Sequence, residues 1–451
     1  MKLLIALRQA LFIATIIPVH YSQMASCGSL IRDTETEQTI SFFANDIISA
    51  AGLTTAATEI QILLDPKINA FVSAGQRITI TTGLIQATET PGQLMGVIAH
   101  EVAHIAGGHL ARLKNALDKA NRTAQVSNFL GVALGAISGQ ANLANAFGAG
   151  GSHVATRTLL KFSRIQEQSA DLAATRYLDM VKVSSRGMLQ FLKKLEDQSL
   201  LVQANTVPYQ DTHPKTKDRI SFVENHLQQS NYRRQTASPA SMLLHAKLVA
   251  KISGFTNQPS ITLAKYSGSA DNIPANYARA IAYFKKGEII KSLNLVKKLI
   301  GDEPENPFFY ELMGQILFEN GRISEARNSY QKALELLPNA PLIMIKLAHS
   351  MLELPDPLLL GTIKKLVTEA IQKDPKNHLA WHLLGTAYDR AGEPGLAALA
   401  SAEYNLLLRR KTTARLMAQR AIRLLDITQP GSKRAFDILL ATKGVSKSRS
   451  R

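Results

Sequence analysis

The last third of the chain repeats with a period of 34 residues. Gly287 and Gly321 are 34 positions apart, and so are Pro304 and Pro338. Aligned on Gly287, Gly321 and Gly392, the residues four places earlier are Tyr283, Leu317 and Tyr388. Those five places after the last two are Ala326 and Ala397. A unit this short cannot bury its own hydrophobic face, so it is stable only when stacked on copies of itself. The pattern therefore predicts a solenoid of helix–turn–helix units over 273–306, 307–340, 341–377 and 378–411. The third unit is longer by three residues near Pro355-Asp356-Pro357, and Ala370 is back in phase once they are counted. A helix from Leu416 to Leu425 is expected to cap the array, which makes 273–425 one domain and 426–451 a basic tail.

Side-chain identities narrow the repeat type. Tyr310, Met313 and Gly314, followed by Ala326, Tyr330, Ala333 and Pro338, have the spacing of a tetratricopeptide repeat. Trp381, Leu384, Gly385 and Tyr388 repeat its first half. Such arrays bind through an extended concave face, the expected contact surface here.

The N-terminus points to export. Lys2 and Arg8 accompany a short apolar run, Ala10 to Val19, with small residues at Ala25 and Ser26. The run is too short for a comfortable membrane span, so 1–27 is read as a signal peptide. An uncleaved anchor is the second reading. Cys27 is the only cysteine, which precludes an intrachain disulfide. Met24-Ala25-Ser26-Cys27 also makes an imperfect lipoprotein box, leaving lipidation at Cys27 as a third reading. The net charge of +17 raises the question of nucleic acid. No zinc finger, helix-turn-helix or basic-aromatic module accompanies it, so no nucleic-acid partner is expected. The terminal cluster Lys443, Lys447, Arg449 and Arg451 reads as a solvated tail first and a peripheral membrane contact second.

The region 28–240 carries the pattern of a separate, mainly helical domain, joined to the repeats by a connecting segment at 241–272. Ile40, Phe43, Ile47 and Ile48 predict one helix, and Ile60, Leu63 and Leu64 a second, stopped by Pro66. Ala70-Phe71-Val72 and Ile78 to Thr81, with Gly75 between, predict a small β-hairpin. A long helix is expected over Gln93 to Leu113, and others over Leu159–Asp179, Met188–Gln198 and Thr216–Gln228. The Gly/Ala-rich stretch 119–155 reads either as a helical hairpin packed on the domain or as a membrane-facing flap beside the active site.

The chemistry sits on the long helix. His100-Glu101-Val102-Ala103-His104 places two imidazoles four residues apart on one helical face, with a glutamate beside the first. This is the arrangement of zinc hydrolases, but two ligands leave a site unfinished. Val97, Ile98, Val102 and Ile105 give the helix an apolar face to bury while the histidines meet a cleft. The third ligand should be His, Asp or Glu from another buried element. Glu167 is the best candidate. Ala170, Ala173 and Ala174 suggest that its helix packs closely. Asp171, one turn later, can accept the outer N–H of a metal-bound histidine. His109, His153 and His213 compete. His109 is one residue off the i+4 step and is expected to face elsewhere, and His153 lies in the glycine-rich stretch. In this reading His100, His104 and Glu167 hold one Zn²⁺ per chain, and Glu101 takes a proton from the attacking water. The hairpin edge could align an extended peptide.

Together these segments resemble the HtpX-type M48 zinc metallopeptidases, and among them the periplasmic BepA-type subgroup with repeats after the protease domain. The resemblance covers the whole mature chain. It rests on Asn69-Ala70-Phe71, Thr82-Gly83-Leu84, the His100–His104 motif continued by His109-Leu110-Ala111-Arg112, Ser163-Arg164 with Glu167 and Ala170-Asp171, Thr212-His213-Pro214, and Asp218-Arg219-Ile220. Gln168-Ser169 depart from the more acidic pattern of many members. The resemblance implies a zincin-type fold, Glu167 as third ligand, and His213 as a reversible fourth ligand or, once displaced, an oxyanion donor. It gives Arg219 a part as oxyanion or orienting partner, against the plainer reading of a structural ion pair. It implies a metalloendopeptidase in outer-membrane protein quality control. The repeats would hold unfolded or misassembled outer-membrane proteins, or the barrel-assembly machinery. An adaptor or chaperone with latent or absent proteolysis is the alternative.

Overall fold

The computed structural model describes residues 29–113, 115–116, 118, 164–201, 213, 217–268 and 271–443. The expected signal peptide, Cys27, the 119–155 stretch with His153, and residues 444–451 lie outside them. Among the described residues no helix is long and apolar enough to cross a membrane.

The first domain is built from β1 (Leu30–Ile31), α1 (Thr34–Ala50), β2 (Glu59–Leu63), β3 (Ala70–Ser73), β4 (Arg77–Thr81), α2 (Thr82–Ala87) and α3 (Pro91–Ala106). Helix α4 follows, described over 164–180, then α5 (Arg186–Leu201), α6 (Lys217–Gln229), α7 (Pro239–Thr256) and α8 (Pro259–Lys265). One four-stranded sheet runs in the order β1-β2-β4-β3. The hairpin expected over 70–81 is β3–β4, antiparallel, turning at Gly75 with φ +85°. Residues 59–63 correct the expectation of a second helix. They form β2, antiparallel to β1 and parallel to β4, and Ile62 is buried. Ile60 and Ile62 alternate with polar neighbours as a strand requires, and partners distant in sequence decide the outcome.

Two close approaches fix the corner before α3 and the seat of α3 itself. A Cβ on Gly83 would lie 2.1 Å from the Pro66 carbonyl oxygen, so the strand-to-helix corner at Thr82-Gly83-Leu84 admits only glycine. A Cβ on Gly96 would lie 2.7 Å from Met188, so α3 and α5 cross almost backbone to backbone. Thr90 caps α3 through its hydroxyl, with Pro91 in the first turn.

The repeats follow as α9 (Ile273–Lys285), α10 (Ile289–Asp302), α11 (Pro307–Glu319), α12 (Ile323–Leu336), α13 (Pro341–Leu352), α14 (Leu360–Lys373), α15 (His378–Arg390), α16 (Pro394–Leu407), α17 (Lys411–Leu424) and α18 (Pro430–Ala441). Gly287, Gly321 and Gly392, which set the phase, each turn the chain at positive φ, +82°, +74° and +74°. The third unit has no such glycine; Asp356 caps a 3₁₀ turn, Pro357–Leu359, where the extra residues fall. Among the described residues the array closes with a helix pair, α17 and α18, rather than the one capping helix expected. Residues 430–441, expected as tail, are helical because Ala435 and Ile438 pack into a core with Ala414, Ala418 and Ala421.

The stretch 241–272 holds α7 and α8 rather than a loose join. Leu248 and Ile252 of α7 belong to the first domain's core. The adjoining face of α7, with Lys247 and Lys251, meets the repeats and the start of α1. Lys251 Nζ lies 2.7 Å from Asp33 Oδ2 and 3.1 Å from Glu35 Oε2, and Tyr277 donates its hydroxyl to Glu35 at 2.6 Å. Lys247 pairs with Glu303 at 2.8 Å, and Arg32 reaches Asp374 at 2.9 Å. Burial pushes the Asp33 carboxyl up, but Lys251 outweighs it and holds the group at about 2. Replacing Lys251 by methionine would leave buried Glu35 and half-buried Asp33 without their shared cation. It is expected to cost about 3–5 kcal/mol, read as a lower calorimetric melting temperature of the whole chain.

Candidate metal centre

Buried Val97, Ile98 and Val102 anchor α3 in the core, and the other side of that helix carries His100, Glu101 and His104. Helix α4 faces it, anchored by fully buried Ala170 and Ala174, and carries Glu167 and Asp171. One ligand atom from each of His100, His104, Glu167 and His213 falls within 4.8 Å of the others. Glu167 Oε2 lies 3.2 Å from His100 Nε2, and Oε1 lies 3.3 Å from His104 Nε2. His100 Nε2 is 3.0 Å from His104 Nε2 and 3.2 Å from His213 Nδ1, which is itself 3.2 Å from Glu167. Neutral imidazole nitrogens aimed at one another this closely oppose lone pairs unless a cation or proton lies between them. Ligands about 2.1 Å from a tetrahedral metal stand about 3.4 Å apart. The cluster therefore fits a divalent ion, and its N₃O donor set suits zinc.

The groups around the cluster fix its orientation. Asp171 Oδ1 lies 3.0 Å from His100 Nδ1, so His100 carries its proton on the outer nitrogen and turns Nε2 inward. Arg219 holds Asp171 with two contacts, 2.6 Å from Nε to Oδ2 and 2.8 Å from Nη2 to Oδ1, and reaches Glu167 Oε2 at 2.9 Å. All three side chains are buried. Burial pushes the Glu167 carboxyl up, but the neighbouring imidazoles, His100 foremost, hold it far below the usual range. Asp171 is likewise held below its usual range against burial, chiefly by Arg219.

His109 was expected to face elsewhere, and the structure corrects this. Its Nδ1 lies 3.0 Å from His104 Nδ1, and its ring is buried. The expectation assumed one helix through Leu113. Instead α3 ends at Ala106, Gly108 takes φ +63°, and the chain turns before helix resumes at 109. The His109 ring folds back so tightly that a Cβ on Gly107 would lie 2.4 Å from it. Burial and the nearby His104 lower His109 to about 4, so it stays neutral and can accept the outer N–H of His104. The signal available in the sequence was the Gly107-Gly108 pair, which ends the register on which the i+4 argument depended.

Glu101 is buried, and neither carboxylate oxygen has a well-aligned hydrogen bond. His213 Nε2 lies 3.2 Å from its Oε1. Burial pushes Glu101 up, but His213 outweighs it and holds the group below the usual carboxylate range. The same His213 nitrogen lies 3.3 Å from the carbonyl oxygen of Ala70 on β3. Thr81 N–H donates to Asn69 O at 3.0 Å, so the odd residues of β3 face β4, and Ala70 and Val72 turn their backbone groups to the sheet edge.

Residues 34–227 match peptidase family M48, and residues 314–354 match the TPR repeat. The chain is similar to the beta-barrel assembly-enhancing protease of Yersinia pestis, 25% identical over 373 residues, which covers 81% of this chain and 74% of that protein. It is 24% identical over 370 residues to the protein of the same name in Escherichia coli (strain K12), with the same coverage. A third relative, the mitochondrial metalloendopeptidase OMA1 of Schizosaccharomyces pombe, is 28% identical over 195 residues, covering 42% of this chain and 53% of that one. Among solved structures, a TPR protein with an unusual peptide-binding site, YrrB, aligns with 39% of this chain and 91% of its own at TM-score 0.33 and 17% identity.

Because Asp171 sets the tautomer of His100, Asp171→Asn is expected to weaken divalent-metal binding by about 10–100-fold. Competition against a chromogenic chelator measures it, and unchanged affinity would remove Asp171 from the site.

Proposed function

We propose, from the premise that the chain carries a peptidase family M48 domain followed by tetratricopeptide repeats, that it is a zinc endopeptidase of the bacterial periplasm. It cleaves misfolded or stalled envelope proteins during outer-membrane β-barrel assembly. The observation that carries the reading is the convergence of three histidine nitrogens and Glu167 beside a buried, poorly satisfied Glu101. The names of the full-length relatives favour the β-barrel context, and the repeats supply a surface for client proteins or for the assembly machinery. Contact with a membrane would be peripheral.

His100, His104 and Glu167 would hold the ion, leaving the corner now taken by His213 for water or substrate. Zinc there supplies the Lewis acidity that makes water a nucleophile near neutral pH and polarises a peptide carbonyl. Glu101 stands on α3 between the two histidines. Held ionised, its carboxylate receives the water's proton and passes it to the leaving amine nitrogen. Asp171 and His109 keep the outer nitrogens of His100 and His104 occupied, so both rings present Nε2 inward. Arg219 acts by holding Asp171 and Glu167 ionised and in place. That is a positioning role, and its two-point grip on Asp171 leaves it poorly free to meet an oxyanion.

His213 makes three contacts that a working site needs for other purposes. Nδ1 lies 3.2 Å from His100 Nε2 and would supply a fourth donor to the ion, while Nε2 faces both Glu101 and the Ala70 carbonyl. An extended client adding a strand to β3 would use that carbonyl. His213 therefore acts as a latch, and this arrangement favours an enzyme that is latent until a client engages. An adaptor that never cleaves is the alternative, but simple metal retention gives no purpose to Glu101.

Glu101→Gln is expected to keep stoichiometric zinc while losing about 10²–10⁴-fold in cleavage of an unfolded reporter. Zinc analysis with single-turnover proteolysis decides it; retained cleavage would defeat the mechanism. His213→Ala should instead raise cleavage severalfold with zinc still bound. A fall in rate would make His213 a participant in the chemistry rather than a latch.

A further inference from the structure

A solenoid's last unit usually turns a polar outer face to water, because no further unit covers it. The pair α17–α18, the last among the described residues, does not follow this pattern. Leu416, Leu424, Phe436 and Leu440 are exposed, and Ile427 at the corner between the helices is 73% exposed. On α18, Lys433, Phe436 and Leu440 recur at i, i+3 and i+7, opposite buried Ala435 and Ile438. On α17, Leu416, Arg420 and Arg423 recur at i, i+4 and i+7, opposite buried Ala414, Ala418 and Ala421.

The same segment is strongly cationic. From Arg409 to Lys443 there are nine lysines and arginines against two acids, Asp426 and Asp437. Arg434 is paired with Glu403. Among the described residues no ion pair engages Arg409, Arg410, Lys411, Arg420, Arg423 or Lys433, and all six are exposed. A second copy docked on this face would bring like charges together, which disfavours self-association. A face meant only for water would not need five large apolar side chains. Separate apolar residues set among unpaired cations match the interfacial zone of an anionic bilayer. The apolar side chains enter shallowly, and the Lys and Arg stems let their heads stay among the phosphates.

We propose that the terminal helix pair α17–α18 is a docking surface for the headgroup layer of an anionic phospholipid membrane. It would hold the far end of the repeat array against the bilayer. The proposal does not depend on the metal centre, and its failure would leave the peptidase reading intact.

The test is co-sedimentation of the full mature chain with vesicles of phosphatidylcholine alone or mixed with phosphatidylglycerol. Binding is expected only to the mixed vesicles, decreasing as salt is raised. R423Q and K433Q should each weaken it roughly fivefold. F436S with L440S should weaken it while the charges remain. All these positions are exposed, so melting temperature and cleavage of a soluble unfolded reporter should not change. Equal binding to both vesicle types, binding to neither, or no response to either set of variants would overturn the proposal. So would a chain that ignores vesicles but binds an acidic polypeptide, which would assign the surface to a protein partner.

Discussion

One guanidinium holds the centre of the first domain together. Glu167 and Asp171 are carboxylates one helical turn apart, both buried, and on their own they would not both ionise. Arg219, arriving from α6, touches both. Its charge lets α4 present an anionic face inside the protein, and that face sets the rest. An ionised Asp171 fixes the His100 tautomer, which turns Nε2 inward, and an ionised Glu167 completes the donor set. A buried ion cluster of this kind is poor evidence for stability. It is better understood as specifying one arrangement of α3, α4 and α6 among those that hydrophobic packing alone would allow.

What the sequence made legible is the part decided within single helices. The i, i+4 histidines share a face by geometry alone, and the structure does bring them together. Ala170 and Ala174 marked α4 as closely packed, which made Glu167 and Asp171 stand out from an ordinary charged face. The repeat phase was visible because each unit meets the same neighbours. What stayed hidden depended on partners distant in sequence. Residues 59–63 are a strand because β1 and β4 lie on either side of them. His109 was misjudged because the i+4 argument ran past the Gly107-Gly108 break. The helical character of 239–256 was obscured because its apolar residues are spread round the helix with little sidedness, and that of 430–441 because the segment is short and opens on Pro430-Gly431.

The junction between the domains limits where a client can sit. α7 belongs to the first domain's core and also faces the first two repeat units. Lys251 lies over the Phe308 ring and Lys247 over Phe309, beside the buried Glu35–Tyr277 contact. Repeat surface that would be open in a free solenoid is there occupied by the chain's own helix. The surface left for a protein partner lies toward the later units.

The contacts of His213 bear on how such an enzyme could be selective. A latch held by the fourth corner alone could be displaced by any small ligand with affinity for the ion. Here the same ring also faces Glu101 and the outward carbonyl of the edge strand. A ligand shifts this equilibrium only by its preference for the open state over the closed one. A free amino acid or carboxylate gains the corner but not the strand edge. On the proposed reading an extended backbone would gain both, because the Ala70 carbonyl it would use is one His213 would have to release. In the proposed mechanism, opening and substrate alignment would draw on the same atoms, which would favour exposed extended segments over small ligands.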